Sequence, residues 1–88
     1  NTPEESQETI QTIRQAGGEA ISVIADISQA GPMETALGEI GQKFGRIDIV
    51  FANAGINGVW APIEELTPEE WDKTINTNLR GTFLTIKY

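Results

Sequence analysis

Apolar residues recur at two different spacings along the 88-residue chain. Two stretches, 20–25 and 47–52, are short and nearly continuous apolar runs rich in β-branched residues, which is typical of strands buried on both faces. The stretches around them repeat an apolar residue every three or four positions, as amphipathic helices do. The pattern therefore predicts the order helix, strand, helix, strand, loop, helix.

Start and stop signals bound the predicted helices. The stretches 2–5 and 67–70 share the sequence Thr-Pro-Glu-Glu, which combines a capping hydroxyl, a proline at the first helical position and a glutamate three residues after the cap. Paired glycines at 17–18 are typical of a left-handed helix stop. We therefore predict one helix over 3–16, a second that Ser28 caps and Gly45 ends, and a long third helix from Pro68 onward.

The alternation of strands and helices predicts the fold class. A strand that returns to the same sheet over a packed helix makes a right-handed crossover, and the result is a parallel sheet. We therefore expect an α/β fold with a doubly wound parallel sheet. Its ligand crevice would lie beyond the carboxyl ends of the strands, which here are Asp26 and Asn53-Ala54-Gly55.

The composition of the chain excludes several kinds of catalytic and metal-binding site. The chain has no cysteine and no histidine, which excludes disulfides, thiol nucleophiles, Ser-His triads and the usual zinc sites, so we predict no metal site. Thirteen acidic residues against six basic ones give a net charge of −7, which disfavours binding to nucleic acid or to anionic membranes. No apolar run approaches the length of a membrane span.

Each candidate residue has a structural and a functional interpretation. Asp26 either caps the next turn by accepting backbone N–H groups or accepts a hydrogen bond from a bound adenine amino group, and both can hold at once. It does not fit the ribose-binding acid of a dinucleotide fingerprint, which needs a glycine-rich turn about 20 residues earlier. Asn53-Ala54-Gly55 is either an ordinary turn or a place where a ligand approaches the backbone closely.

Asn78 is unexpected because it lies beside the apolar stripe of the third helix. An amide in that position needs hydrogen-bond partners or costs about 1 to 3 kcal/mol. It is either a structural amide that bonds a neighbouring helix or loop, or the site of a local distortion where the helix backbone can hold a water.

Four stretches together resemble the short-chain dehydrogenase/reductase family. They are Asp26-Ile27, Phe44-Gly45-Arg46-Ile47-Asp48, Ala52-Asn53-Ala54-Gly55 and Asn76-Thr77-Asn78-Leu79-Arg80-Gly81-Thr82-Phe83. Their order and spacing match the family throughout, and the resemblance covers essentially the whole chain. Ala52 departs from the commoner asparagine at its position.

The resemblance implies a role for each candidate. Asp26 would contact the adenine of NAD or NADP, with Ile27 supplying a backbone contact beside it. Asn53, Ala54 and Gly55 would stabilise the central sheet and flank the cofactor. Asn78 matches the family's catalytic asparagine, whose backbone carbonyl holds a water in a proton relay.

The resemblance also implies the setting of the whole protein. That protein would be a cytoplasmic oxidoreductase that transfers a hydride between the nicotinamide and a carbonyl or alcohol substrate. It would form a homodimer or homotetramer through the helix over 68–88, and the loop over 56–66 would form one wall of the substrate pocket.

We expect residues 1–88 to be the central part of a dinucleotide-binding (Rossmann) domain, with no second domain and with both ends cut. The glycine-rich turn would precede Asn1, and the catalytic serine and Tyr-x-x-x-Lys pair would follow Tyr88, which is not itself that tyrosine. The segment alone would then be inactive. Two alternatives stay open: a non-catalytic dinucleotide-binding regulator or scaffold of the same fold, and a flavodoxin-type domain.

Overall fold

The computed structural model describes residues 3–88 and is built from helices joined by irregular segments. The predicted cap at Thr2 lies outside the described residues. The helices are α1 (Pro3–Gln15), α2 (Ala30–Phe44), α3 (Pro68–Ile75) and α4 (Gly81–Lys87), with a π-helical segment (Asn76–Arg80) between the last two.

Helix α1 ends as the paired glycines predict. Gly17 has a φ of 90°, in the left-handed region that glycine adopts without strain. The N–H of Gly18 donates to the carbonyl of Ile13 at 3.0 Å, and the N–H of Gly17 donates to that of Arg14 at 3.0 Å. These two bonds form a Schellman motif, which satisfies carbonyls left free at the end of the helix.

Helix α2 begins one residue later than a Ser28 cap would place it. The residue that precedes the helix is Gln29, whose side chain makes no capping hydrogen bond. The Ser28 hydroxyl instead donates to Asp26 at 2.7 Å. The prediction that Ser28 caps this helix is therefore wrong, because the turn that Asp26 caps holds Ser28 one residue ahead of the position from which a hydroxyl accepts the first free N–H groups of the helix. The end at Gly45 is confirmed by a left-handed φ of 82°.

The third predicted helix is confirmed at its start and interrupted in its middle. Thr67 and Glu70 form a capping box: the Glu70 N–H donates to the Thr67 hydroxyl at 3.2 Å, and the Thr67 N–H donates to the Glu70 carboxylate at 3.3 Å. The chain remains helical through Lys87, but the N–H of Gly81 bonds the carbonyl of Asn76, five residues back. This wider turn is centred on Asn78 and is the local distortion that one of the two interpretations of Asn78 expects; the water at its backbone stays a prediction.

The two predicted strands are not formed. No residue from 3 to 88 lies in a strand, and 20–25 and 47–52 run as irregular segments. A strand needs a neighbour to satisfy its backbone N–H and C=O groups. Within the described residues these two segments do not pair with each other or with another segment, and side chains that a sheet would bury are open, with Ile49 87% and Phe51 86% exposed.

Apolar burial is concentrated where α2 packs against α4. Met33 and Ala36 of α2 and Leu84 of α4 are buried, as is Ile10 of α1. The radius of gyration is 15.7 Å, whereas a compact domain of this length would have about 12 Å. The described part of the chain is thus more open than a self-contained domain. Among residues 3–88, no helix combines the length and apolar character that a membrane crossing requires.

Candidate functional site

All five residues predicted to bind the cofactor line one cleft. The cleft has a volume of about 650 Å³ and lies between the stretches 23–27 and 51–56, with Thr77 of the π-helical segment at its edge. Asp26 and Ile27 stand on one side, and Asn53, Ala54 and Gly55 stand on the other. We call this feature the Asp26–Gly55 cleft.

The Asp26 carboxylate is held in a tight turn with one oxygen free. Its Oδ1 accepts from the N–H of Ser28 at 2.9 Å and from the Ser28 hydroxyl at 2.7 Å. Turn capping, one of the two sequence interpretations, is therefore confirmed. Among residues 3–88 no hydrogen bond is donated to Oδ2, and the side chain is exposed, so a carboxylate oxygen remains available to an outside donor.

Hydrogen bonding keeps this carboxylate ionised. The Ser28 hydroxyl, and after it the Ser28 N–H, lower the pKa of Asp26 below its ordinary value of 3.8 because both stabilise the charged form. Any stability that this group contributes is present above the unfolded-state pKa of about 3.9 and is lost as the pH falls through the lower folded-state value.

Replacing Ser28 with alanine is expected to raise the pKa of Asp26 toward its ordinary value, because the larger of the two stabilising bonds is lost. The titration of the Asp26 carboxyl carbon by NMR in the full-length protein measures this change. Ser22→Ala, on the neighbouring stretch, is the matched control and should leave the titration unchanged. An unaltered Asp26 titration in Ser28→Ala would contradict the assignment.

The side chain of Asn78 joins its helix, through two hydrogen bonds, to the loop that follows Gly55. The side-chain Oδ1 accepts from the N–H of Ile56 at 2.7 Å, and Nδ2 donates to the carbonyl of Ile56 at 2.8 Å. A Cβ atom on Gly55 would lie only 3.0 Å from the same Oδ1, so the close approach favours glycine there. The structural interpretation of Asn78, an amide that bonds a neighbouring loop, is confirmed.

The backbone carbonyl of Asn78 also has a side-chain partner. The Thr82 hydroxyl donates to it at 2.9 Å. A carbonyl oxygen has two lone pairs and can accept from more than one donor. The carbonyl lies within the π-helical segment, where the regular spacing of helical bonds is interrupted.

The same helix also contacts the Asp26 turn, through residues to which the sequence assigned no role. The Arg80 Nε–H donates to the carbonyl of Ser28 at 3.2 Å. Gly81 is buried against Ile27, and a Cβ atom on it would come within 2.7 Å of the Ile27 Cδ1. A glycine inside a helical pattern is a sequence signal for such close packing. Arg80 bonds a residue that lies 52 positions away in the sequence, and no sequence pattern predicts that bond.

Comparison with known sequences identifies relatives among dehydrogenases. The family model described as short chain dehydrogenase matches residues 1–88. Glucose 1-dehydrogenase 2 of Bacillus subtilis is 39% identical over 85 residues, which are 97% of this chain and 33% of that protein. An uncharacterized NAD-dependent oxidoreductase of Mycobacterium tuberculosis is 35% identical over 86 residues, 98% of this chain and 31% of its own length. The predicted cofactor, NAD or NADP, is consistent with these relatives.

Comparison with solved structures gives the same result. The crystal structure of a 3-ketoacyl-ACP reductase from Sinorhizobium meliloti matches with a TM-score of 0.93 and 55% identity, covering 98% of this chain and 34% of that one. The chain thus spans about a third of the length of the relatives that it matches. The family model extends over the whole sequence, and the chain belongs to the short-chain dehydrogenase family.

Proposed function

We propose that this chain is the central part of a nicotinamide-dependent oxidoreductase that transfers a hydride between NAD or NADP and a carbonyl or alcohol carbon. The observation that supports this most directly is the Asp26–Gly55 cleft, which is lined by all five residues predicted to bind the cofactor. The family membership of the chain supports the same reaction class. Substrate choice depends on parts of the enzyme beyond these residues.

The same proposal explains why the two predicted strands do not form a sheet. In the common dinucleotide-binding order 3-2-1-4-5-6, the third and fourth strands are separated by the second and first. If 20–25 and 47–52 are those two strands, neither has its neighbour within this chain. The exposed Ile49 and Phe51 side chains support this proposal, since the strands of parallel sheets are apolar on both faces.

The residues of the cleft suit the adenine end of a dinucleotide. The free Oδ2 of Asp26 can accept a hydrogen bond from the adenine amino group, because an aspartate is ionised at neutral pH. Ala54 and Gly55 have small side chains or none, which lets a ligand approach the backbone. The nicotinamide, when bound, supplies or accepts the hydride.

Asn78 takes part in the proton relay that accompanies hydride transfer. We place its carbonyl, which also accepts from the Thr82 hydroxyl, as the acceptor that holds a relay water. Its side chain fixes the position of Ile56, the first residue of the loop proposed to line the substrate pocket. One residue thus orients both the relay and the pocket wall.

A turnover assay on the full-length protein tests this proposal. The protein is mixed with reduced NAD or NADP and a panel of ketones and aldehydes, and the absorbance of the reduced nicotinamide is followed. The proposal expects loss of absorbance that depends on both substrate and enzyme. Tight nucleotide binding with no turnover of any substrate would favour the non-catalytic regulator or scaffold instead.

The exposed apolar face of the helical stretch 68–87 supports assembly into a homodimer or homotetramer. Four large side chains on this face are exposed by 54 to 71%: Trp71, Leu79, Phe83 and Ile86. Phe83→Glu in the full-length protein is expected to reduce the mass measured by light scattering, because it places a charge in the interface. Gln42→Glu, on the exposed face of α2, is the control and should leave the mass unchanged. A monomeric wild-type protein would contradict this arrangement.

A further inference from the structure

We propose that Arg80 is a positioning residue for the adenine end of the cofactor, because it ties the Asp26 turn to the helix that carries Asn78. This inference rests on the proposed function. It assigns Arg80 to nucleotide binding through the geometry of the turn and not through contact with the nucleotide.

The first support is the series of hydrogen bonds from Arg80 to the adenine contact. The Arg80 Nε–H donates to the Ser28 carbonyl at 3.2 Å. Ser28 in turn donates its hydroxyl and its N–H to Oδ1 of Asp26, at 2.7 and 2.9 Å. A change at Arg80 therefore reaches Asp26 through a single intervening residue.

The second support is that Arg80 acts beside a close packing contact. The next residue, Gly81, is buried against Ile27, which lies between Asp26 and Ser28 in sequence. The turn is thus held by apolar contact at Ile27 and by a hydrogen bond at Ser28. The turn itself is closed by the Gln29 N–H, which donates to the Asp26 carbonyl at 3.1 Å, and these two contacts join it to the helix that carries Asn78.

Ion pairing does not explain the position of Arg80. Among residues 3–88 the ion pairs join Lys43 to Glu19 and Arg46 to Asp48, and neither includes Arg80. Its described hydrogen bond is to a backbone carbonyl, which carries no net charge. The bond therefore fixes the position of the turn and does not neutralise a carboxylate. A positioning role follows more directly from this geometry than a surface electrostatic role.

Two substitutions of similar length isolate the hydrogen bond. In Arg80→Gln the side-chain nitrogen takes the place of Arg Nε along the chain, so a donor is kept and the charge is lost. In Arg80→Met a methyl group takes that place, so both are lost. The full-length protein and both variants are titrated with ADP-ribose and, separately, with nicotinamide mononucleotide.

The expected result is selective for the adenine fragment. Arg80→Met should weaken ADP-ribose binding by roughly 3- to 10-fold, the effect of one lost hydrogen bond. It should leave the affinity for nicotinamide mononucleotide unchanged, while Arg80→Gln stays near the wild type for both. A general loss of structure would weaken both fragments together. If Arg80→Met does not fold, Arg80→Leu replaces it, because leucine also has no hydrogen-bond donor.

Three outcomes would overturn the inference. Unchanged ADP-ribose binding in the folded Met or Leu variant removes the positioning role and leaves the proposed function intact. Equal weakening of both fragments has the same consequence. A wild-type protein that binds neither fragment overturns the proposed function itself, and this inference with it.

Discussion

Asn78→Ala in the full-length enzyme is expected to lower kcat by about 100-fold or more, within the range for loss of an acid–base component. The substitution removes both hydrogen bonds to Ile56, at 2.7 and 2.8 Å, which hold the helix and the loop together. Without them, the Asn78 carbonyl and the first residue of the proposed substrate loop no longer keep a fixed spacing. Steady-state kinetics with a saturating nicotinamide cofactor measures the effect.

Asn78→Asp separates the donor from the acceptor. An aspartate still accepts from the Ile56 N–H but sets a second oxygen against the Ile56 carbonyl, where the amide now donates. We therefore expect it to be no more active than the alanine variant at neutral pH.

Asn76→Ala is the matched control for these variants, since Asn76 is exposed in the same π-helical segment. It should change kcat by no more than about twofold, as for an ordinary surface substitution. A wild-type kcat in Asn78→Ala would remove Asn78 from the proposed relay.

Gly81→Ala is expected to destabilise the protein, although alanine is the better helix former. Helix propensity alone predicts a gain of about 1 kcal/mol. The new Cβ atom, however, would lie 2.7 Å from Cδ1 and 2.9 Å from Cγ1 of Ile27. Overpacking of this kind costs about 1 to 3 kcal/mol, so we expect a net loss in the free energy of unfolding of about 1 kcal/mol. Urea unfolding of the full-length protein measures it.

Two further variants isolate the cause of that loss. Gly38→Ala lies within α2, where a Cβ atom would meet nothing within 4 Å, so it should raise the free energy of unfolding by about 0.5 to 1 kcal/mol. Ile27→Val removes Cδ1, the atom nearest to the new methyl group, and should relieve much of the loss when combined with Gly81→Ala. Equal gains in Gly38→Ala and Gly81→Ala would show that the close packing against Ile27 is absent.

The helices could be predicted because their signals are local. The Schellman motif at Gly17 and the capping box at Thr67 each depend on residues within one or two turns of each other. A distortion at Asn78 was one of two interpretations that the sequence left open, since an amide beside an apolar stripe is already visible in the helical pattern. Ser28 was misassigned because the turn capped by Asp26 ends at Gln29, and the sequence alone does not fix the residue at which that turn passes into the helix.

The strands and the long-range contacts could not be read from the sequence in the same way. The stretches 20–25 and 47–52 have strand-like composition, but pairing depends on neighbours that these residues do not provide. Asn78 contacts Ile56 across 22 residues, and Arg80 contacts Ser28 across 52. The sequence indicated that Asn78 needs a partner without identifying it, and it gave no sign that Arg80 has one.

The Asp26–Gly55 cleft, on this proposal, receives the adenine end of a nicotinamide dinucleotide. A crystal structure of the full-length protein with NAD or NADP tests it most directly. We predict the adenine amino group within hydrogen-bond distance of the free Oδ2 of Asp26, with the backbone of Asn53–Gly55 flanking the cofactor. A dinucleotide bound with its adenine away from Asp26, or a cleft filled by other parts of the protein, would contradict the account.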